Sequence, residues 1–180
     1  ALESCRARLV LCGGIVADDA AFARRRTIPP IARGSVRAPR VSAADFRRPA
    51  PGGPSPVIGI IPGRIITERL EATLPVEQGV SVSDPAADLV KIAIVERHGV
   101  NGNRAVGFVK GFGLQHGAIA STVCHDHHNI AVVGTSDADM ALACNRLGEI
   151  EGGFVVAAAG QVLAEVALPI AGLMSPKTFE

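Results

Sequence analysis

From residue 57 onward the apolar residues arrive in short runs, rich in β-branched side chains and broken by glycine, proline or asparagine. Runs of that kind predict strands rather than helices. In "VIGIIPGRIITERLEATLPV" the pair Pro62-Gly63 marks a turn between two strands. Asp88 to Glu96, "DLVKIAIVE", predicts another, and Asn101-Gly102-Asn103 a hairpin turn into "RAVGFVKGF". Ala118 to Val123 and Ile130 to Val133 read as two short buried strands. The period changes once, in "SDADMALACNRLGEI", where Met140, Ala143, Cys144 and Leu147 recur at helical spacing and form a stripe that must face a sheet. Ser136 suits the N-cap of that helix, and Asp137 and Asp139 suit the positive end of its dipole. After Gly152-Gly153, "FVVAAAGQVLAEVAL" predicts a last hairpin turning at Gly160.

Upstream of residue 57 the pattern is different. "RLVLCGGIVADD", Arg8 to Asp19, predicts a β-hairpin around Gly13 and Gly14, too small to be stable alone. From Arg24 to Pro56 the chain is dominated by Arg, Pro, Gly and Ser, with little apolar periodicity, and reads as a linker draped over a surface. The expected organisation is therefore a hairpin at residues 1–23, a linker at 24–56 and a main domain at 57–180. The fold class is α+β, a mostly antiparallel or mixed sheet with one principal helix.

Composition removes several function classes. With 18 basic and 17 acidic side chains and neither Trp nor Tyr, the chain has no net field and almost no stacking surface for nucleic acid, and no attraction to an anionic membrane. No apolar run approaches the roughly 20 residues of a membrane span. The four cysteines, Cys5, Cys12, Cys124 and Cys144, form no CxxC pair and no spacing typical of zinc, so a reduced, cytoplasmic protein is expected. The chain starts at alanine and enters a strand almost at once, so the natural protein is expected to begin upstream.

The densest chemistry lies in "VCHDHHN", Val123 to Asn129. Three readings compete. His125 and His127 alternate along an extended segment and point to one side, as two metal ligands would. Asp126 beside a histidine suits acid–base work, because imidazole exchanges protons near neutral pH. Asp126 and Asn129 also suit a tight turn in which they bond nearby backbone. Elsewhere, Glu96-Arg97-His98 ends a strand and reads as a surface ion pair or a pocket rim. The glycines of "GFVKGFG" lack the spacing and the following helix of a phosphate loop.

Taken together, "GIIPGRIITERLEATLP", "DLVKIAIVERHG", "GNRAVGFVKGFGLQHGAIASTVCHDHHNIAVVG", "DADMALACNRL" and "LPIAGLMS" resemble the C-terminal portion of the bacterial adenine deaminases of the amidohydrolase superfamily. The family stretch that "VCHDHHN" resembles reads Ala, His, Asp, Ser, His, Asn, so this chain departs from it at Cys124 and His127. A serine in the family where His127 stands argues against an obligatory metal site on the His125 and His127 pair. The resemblance implies that the N-terminal hairpin ends a small β-sandwich. It implies an upstream amidohydrolase barrel holding a divalent transition metal, Mn, Fe or Zn, with no metal in this segment. The intact enzyme would hydrolyse adenine or a related aminopurine, with His125, Asp126 and His128 as polar contacts to substrate or catalytic water, and would form a homo-oligomer. A stand-alone, non-catalytic binding or assembly module is the competing expectation.

Overall fold

The computed structural model describes residues 7–24, 26 and 28–177, and the chain divides into two compact units after Pro30. The first unit holds the expected hairpin, β1 (Leu11–Cys12) and β2 (Ile15–Val16), paired Leu11 to Val16 and Cys12 to Ile15. Gly13 and Gly14 both have positive φ, 58° and 81°, which a two-residue hairpin turn of this kind demands. A one-and-a-half-turn helix, α1 (Asp19–Ala23), follows, with the Asp18 carboxylate accepting from the Ala21 N–H at 2.8 Å. Among its described residues the unit shows no buried core: Leu11, Ile15 and Phe22 are all exposed.

The second unit, from Ile31, is built on an eight-stranded sheet. In chain order the strands of this unit, in both its sheets, are β3 (Arg48–Pro49), β4 (Ser55–Ile60), β5 (Thr67–Ala72), β6 (Val76–Glu77), β7 (Val80–Ser81), β8 (Leu89–Val95), β9 (Arg104–Lys110), β10 (Ala118–Ser121), β11 (Ile130–Gly134), β12 (Gly153–Ala158) and β13 (Gln161–Ala167), with the helix α2 (Asp137–Glu149) between β11 and β12. The large sheet runs β13-β12-β10-β11-β8-β9-β4-β5, and β3-β7-β6 form a small one. Every neighbour in the large sheet is antiparallel except β4 with β9. Each turn expected from sequence joins a real hairpin: β4 to β5, β8 to β9, β10 to β11, and β12 to β13.

One face of the sheet packs against α2. Alternation along the paired register places Ala93, Val95, Ala120, Ile130, Val132 and Val155 on that face, where they meet Met140, Ala143, Cys144 and Leu147 of the helix. The fit is close. A side chain at Gly134 would run into Met140 and Ala118, so only glycine lets the helix approach there. The Ser136 hydroxyl accepts from the Asp139 N–H, as the sequence suggested. Asp139 has a further role that sequence did not show, since its buried carboxylate accepts from Gly160 N–H at 2.9 Å and fixes the β12–β13 turn.

The segment read as a linker over 24–56 is, from Ile31 on, part of the larger unit. Val36, Val41 and Phe46 are buried, Phe46 completely, and Val41 and Phe46 join the core under α2. Asn145 of the helix bonds both the N–H and the carbonyl of Val41, at 2.9 and 2.8 Å. The Lys91 ammonium, 2% exposed, reaches the Phe46 carbonyl at 3.1 Å and Asp137 at 2.6 Å. Few apolar residues in a proline-rich stretch suffice when each meets a preformed groove and the backbone is held by polar side chains of the domain.

Two outcomes follow from this core. Asp137→Ala leaves the Lys91 charge buried with one carbonyl for company, and thermal or urea unfolding should show a loss of about 3 kcal/mol, the low end for breaking a buried pair because Asp137 is partly exposed. Burial pushes the Cys144 thiol up to about 12. Its folded pKa is raised above the unfolded value, so the contribution is intact below pH 9 and is lost as pH rises from there through 12. Over that window unfolding free energy should fall by about 1.4 kcal/mol per pH unit from this group, and comparison with Cys144→Ala should remove that component.

Candidate functional site

The stretch "VCHDHHN" follows Thr122 in the connection between β10 and β11. Thr122, fully buried, anchors its start: its hydroxyl donates to the Gly172 carbonyl at 2.6 Å and accepts from Gly153 N–H at 2.7 Å. Within the loop the His128 N–H donates to the Cys124 carbonyl at 2.8 Å, closing a turn, and His128 sits at a φ of 53°. A left-handed conformation is uncommon for a residue with a side chain and costs on the order of 1 kcal/mol. The surroundings enforce it. Arg97, 3% exposed at the end of β8, donates from Nε to the His128 carbonyl at 2.5 Å and from Nη1 to the Ala171 carbonyl at 2.9 Å. Burial lowers the Arg97 pKa from its ordinary value, but a guanidinium stays charged in a protein. A side chain at Gly172 would strike that guanidinium, so the 171–172 turn depends on glycine as well.

The structure thus brings His125, Asp126 and His128 together on one short, anchored loop. His125 Nδ1 and Asp126 Oδ1 lie 2.9 Å apart, both groups almost wholly exposed at 93% and 87%. The contact uses Nδ1, so Nε2 is the nitrogen of that imidazole not engaged by Asp126. His127 is turned to other work, with its Nδ1 accepting from Asn129 N–H at 3.1 Å. His125 and His127 therefore spend their Nδ1 atoms on different partners. Among the described residues no three His, Cys, Asp or Glu side chains converge to hold a metal ion. Cys124 is half-buried, and burial raises its thiol pKa, with the backbone bond to Ala131 and the Arg97 charge pulling the other way. It is a protonated packing group, with no sign of an activated nucleophile.

Glu96 and Arg97 do not pair with each other, so the surface ion pair, one of the two readings from sequence, does not form, while Glu96 does line a depression as the other reading has it. Neighbouring residues at a strand end point to opposite sides. Both are buried, and the Glu96 carboxylate winds the next loop around itself by accepting from the N–H groups of His98, Val100 and Gly102. Burial acts to raise the Glu96 pKa, but those backbone donors outweigh it and hold the carboxyl below its ordinary value. Next to it lies a depression of about 280 Å³ whose walls include Glu96, Asn103, Arg104 and Asn129. The Asn129 side-chain carbonyl is buried there without a donor. Asn129 and Asn103 stand in the sequence as turn residues and Arg104 as a strand residue; the β8–β9 and β10–β11 hairpin ends meeting side by side bring the three together.

Comparison with known proteins agrees with the sequence resemblance. The family described as adenine deaminase C-terminal domain matches residues 64–180. An adenine deaminase of Cereibacter sphaeroides (strain ATCC 17025 / ATH 2.4.3) is 61% identical over 99% of this chain and 32% of its own length. The chain belongs to the adenine deaminase family. Adenine deaminases of Brucella anthropi and Brucella melitensis biotype 1 are 59% and 56% identical, again over 99% of the chain and over 32% and 31% of their own lengths. The chain thus spans about a third of the length of the adenine deaminases it matches, and the match includes the first unit as well as the second. No helix among the described residues is long and apolar enough to cross a membrane.

The loop's dependence on Arg97 can be measured directly. Arg97→Ala orphans the carbonyls of His128 and Ala171, and the expected cost is roughly 2–4 kcal/mol. The His128 amide should exchange hydrogen faster by at least tenfold relative to amides of β8, and an unaltered ratio would show that the loop holds its shape without the guanidinium.

Proposed function

We propose that this chain acts as the C-terminal part of a longer, metal-dependent adenine deaminase that converts adenine to hypoxanthine. The observation that carries the reading is 61% identity, over 99% of the chain, to a protein named adenine deaminase. In the reaction, water oxygen bonds to the ring carbon that bears the amine, the carbon–nitrogen bond breaks, and the amine leaves as ammonia with one proton of the water while the other stays on the purine product. Among the described residues no group of three His, Cys, Asp or Glu side chains could hold a metal ion, and the divalent metal, Mn, Fe or Zn, belongs in this reading to an upstream amidohydrolase barrel. The first unit's hairpin is in this reading the last piece of the small β-sandwich beside that barrel. Its three described cysteines are free, in keeping with a cytoplasmic enzyme.

In the same reading His125, Asp126 and His128 are polar contacts to substrate or to the attacking water. Three features support it: a loop held at both ends, an imidazole paired with a carboxylate and open at Nε2, and a strained residue of the kind that gathers at working sites. His125 and Asp126 would hold or move a proton at Nε2 of the imidazole.

The test uses His125→Ala and His128→Gly in the chain joined to its upstream polypeptide. Glycine tolerates the φ of 53°, so His128→Gly should keep or slightly raise the melting temperature. Loss of a proton-handling group should still lower turnover per folded molecule by roughly a hundredfold to ten-thousandfold. Normal turnover in both variants, at unchanged metal content, would remove the catalytic assignment of the loop.

A further inference from the structure

The sheet face turned away from α2 is the place where this domain is unfinished. Alternation along the register assigns its residues, and across the six strands from β13 to β9 not one of them is charged. The helix side of the same strands carries Glu165, Lys91, Arg104 and Lys110. A sheet face that meets water ordinarily alternates to polar residues, and this one does not. At one end Val90, Val109 and Val133 are already covered by packing with Leu114. At the other, Phe154 and Val166 stand 42% and 55% exposed, and Val156, Ile119, Ala131 and Ile94 are only partly buried. The polar depression walled by Ile94, Ala105 and Asn129 opens at the margin of this face, beside the histidine loop.

We propose that this apolar face docks on the polypeptide that makes up the remaining two thirds of its relatives' length, and that the docking brings the histidine loop to that polypeptide's reaction centre. The inference rests on the functional reading above. Its size argues for an occupant on the same chain. Six strands at about 4.8 Å spacing and four residues of about 3.4 Å rise give at most roughly 400 Å² on this side, hence about 800 Å² in all. That falls short of the roughly 1,200 Å² at which free partners form stable complexes, but lies within the roughly 600–1,500 Å² of contacts between domains of one chain. A tether raises the local concentration of the partner and makes the smaller area sufficient. The length of the relatives supplies that tethered partner, since this chain accounts for only 32% of the Cereibacter sphaeroides protein.

The test compares the chain alone with the chain joined to the amino-terminal two thirds of that relative, by hydrogen exchange and sedimentation. In the joined protein the amides of β10 and β12 should be protected at least tenfold more than in the chain alone. Phe154→Glu with Val166→Glu should abolish the added protection while leaving the melting temperature of the isolated chain within about 3 °C, because both side chains are exposed there. Ile65→Glu, fully exposed in the β4–β5 turn, should change neither measurement. Equal protection in the two proteins would overturn the proposal, as would an isolated chain that is dimeric and becomes monomeric with the two glutamates, since the occupant would then be a second copy. Adenine deamination by the joined wild-type protein is read separately. Protection without deamination defeats the enzymatic reading alone, and deamination without protection defeats the docking alone.

Discussion

A charged group can leave water only where other groups take over its hydrogen bonds, and β8 carries three that have done so. Lys91, Glu96 and Arg97 are all buried on or just beyond one central strand. Each imposes structure on a different neighbour. Lys91 fixes the entry of α2 through Asp137 and the approach of the upstream segment through the Phe46 carbonyl. Glu96 folds the β8–β9 connection onto its carboxylate, and Arg97 gathers the β10–β11 loop and the turn at Ala171. The apolar core would hold a sheet and a helix together without them. It would not dictate where the loops go.

That division of labour accounts for what was legible in the sequence. Strand runs, turn residues and the Ser136 cap act over a few residues, so their signals are complete within the segment that carries them. The packing of Val41 and Phe46 is different, because it depends on Asn145 and Lys91 far along the chain, and no local pattern announces it. The pairing of Glu96 with Arg97 was misjudged for a related reason. Opposite charges adjacent in sequence suggest a pair, but on extended backbone they look in opposite directions and each must find partners across the fold.

The histidine loop was visible as a concentration of chemistry, and its geometry was not. Nothing in "VCHDHHN" shows that His128 would take the left-handed conformation, since that follows from Arg97 capturing its carbonyl. Nor does the spacing reveal that His127 turns its Nδ1 to the backbone of Asn129 while His125 engages Asp126. The sequence pattern of alternating histidines suggested one shared target, and hydrogen bonding inside a tight turn separated them.

The two rims of the large sheet, β5 and β13, bear on how the molecule avoids growing. A rim strand displays unpaired N–H and C=O groups, and identical chains could extend one another's sheets without limit. On β5, "TERLEA", the exposed Glu68, Arg69 and Glu71 place charges of both signs where an incoming strand would have to desolvate them. On β13 the pairing shifts register near Val156 and Ala157, and Arg146 grips Glu165 with two bonds of 2.6 and 2.8 Å. A bent strand with an occupied carboxylate makes a poor template. Fibre-like addition of strands is thus opposed at both margins.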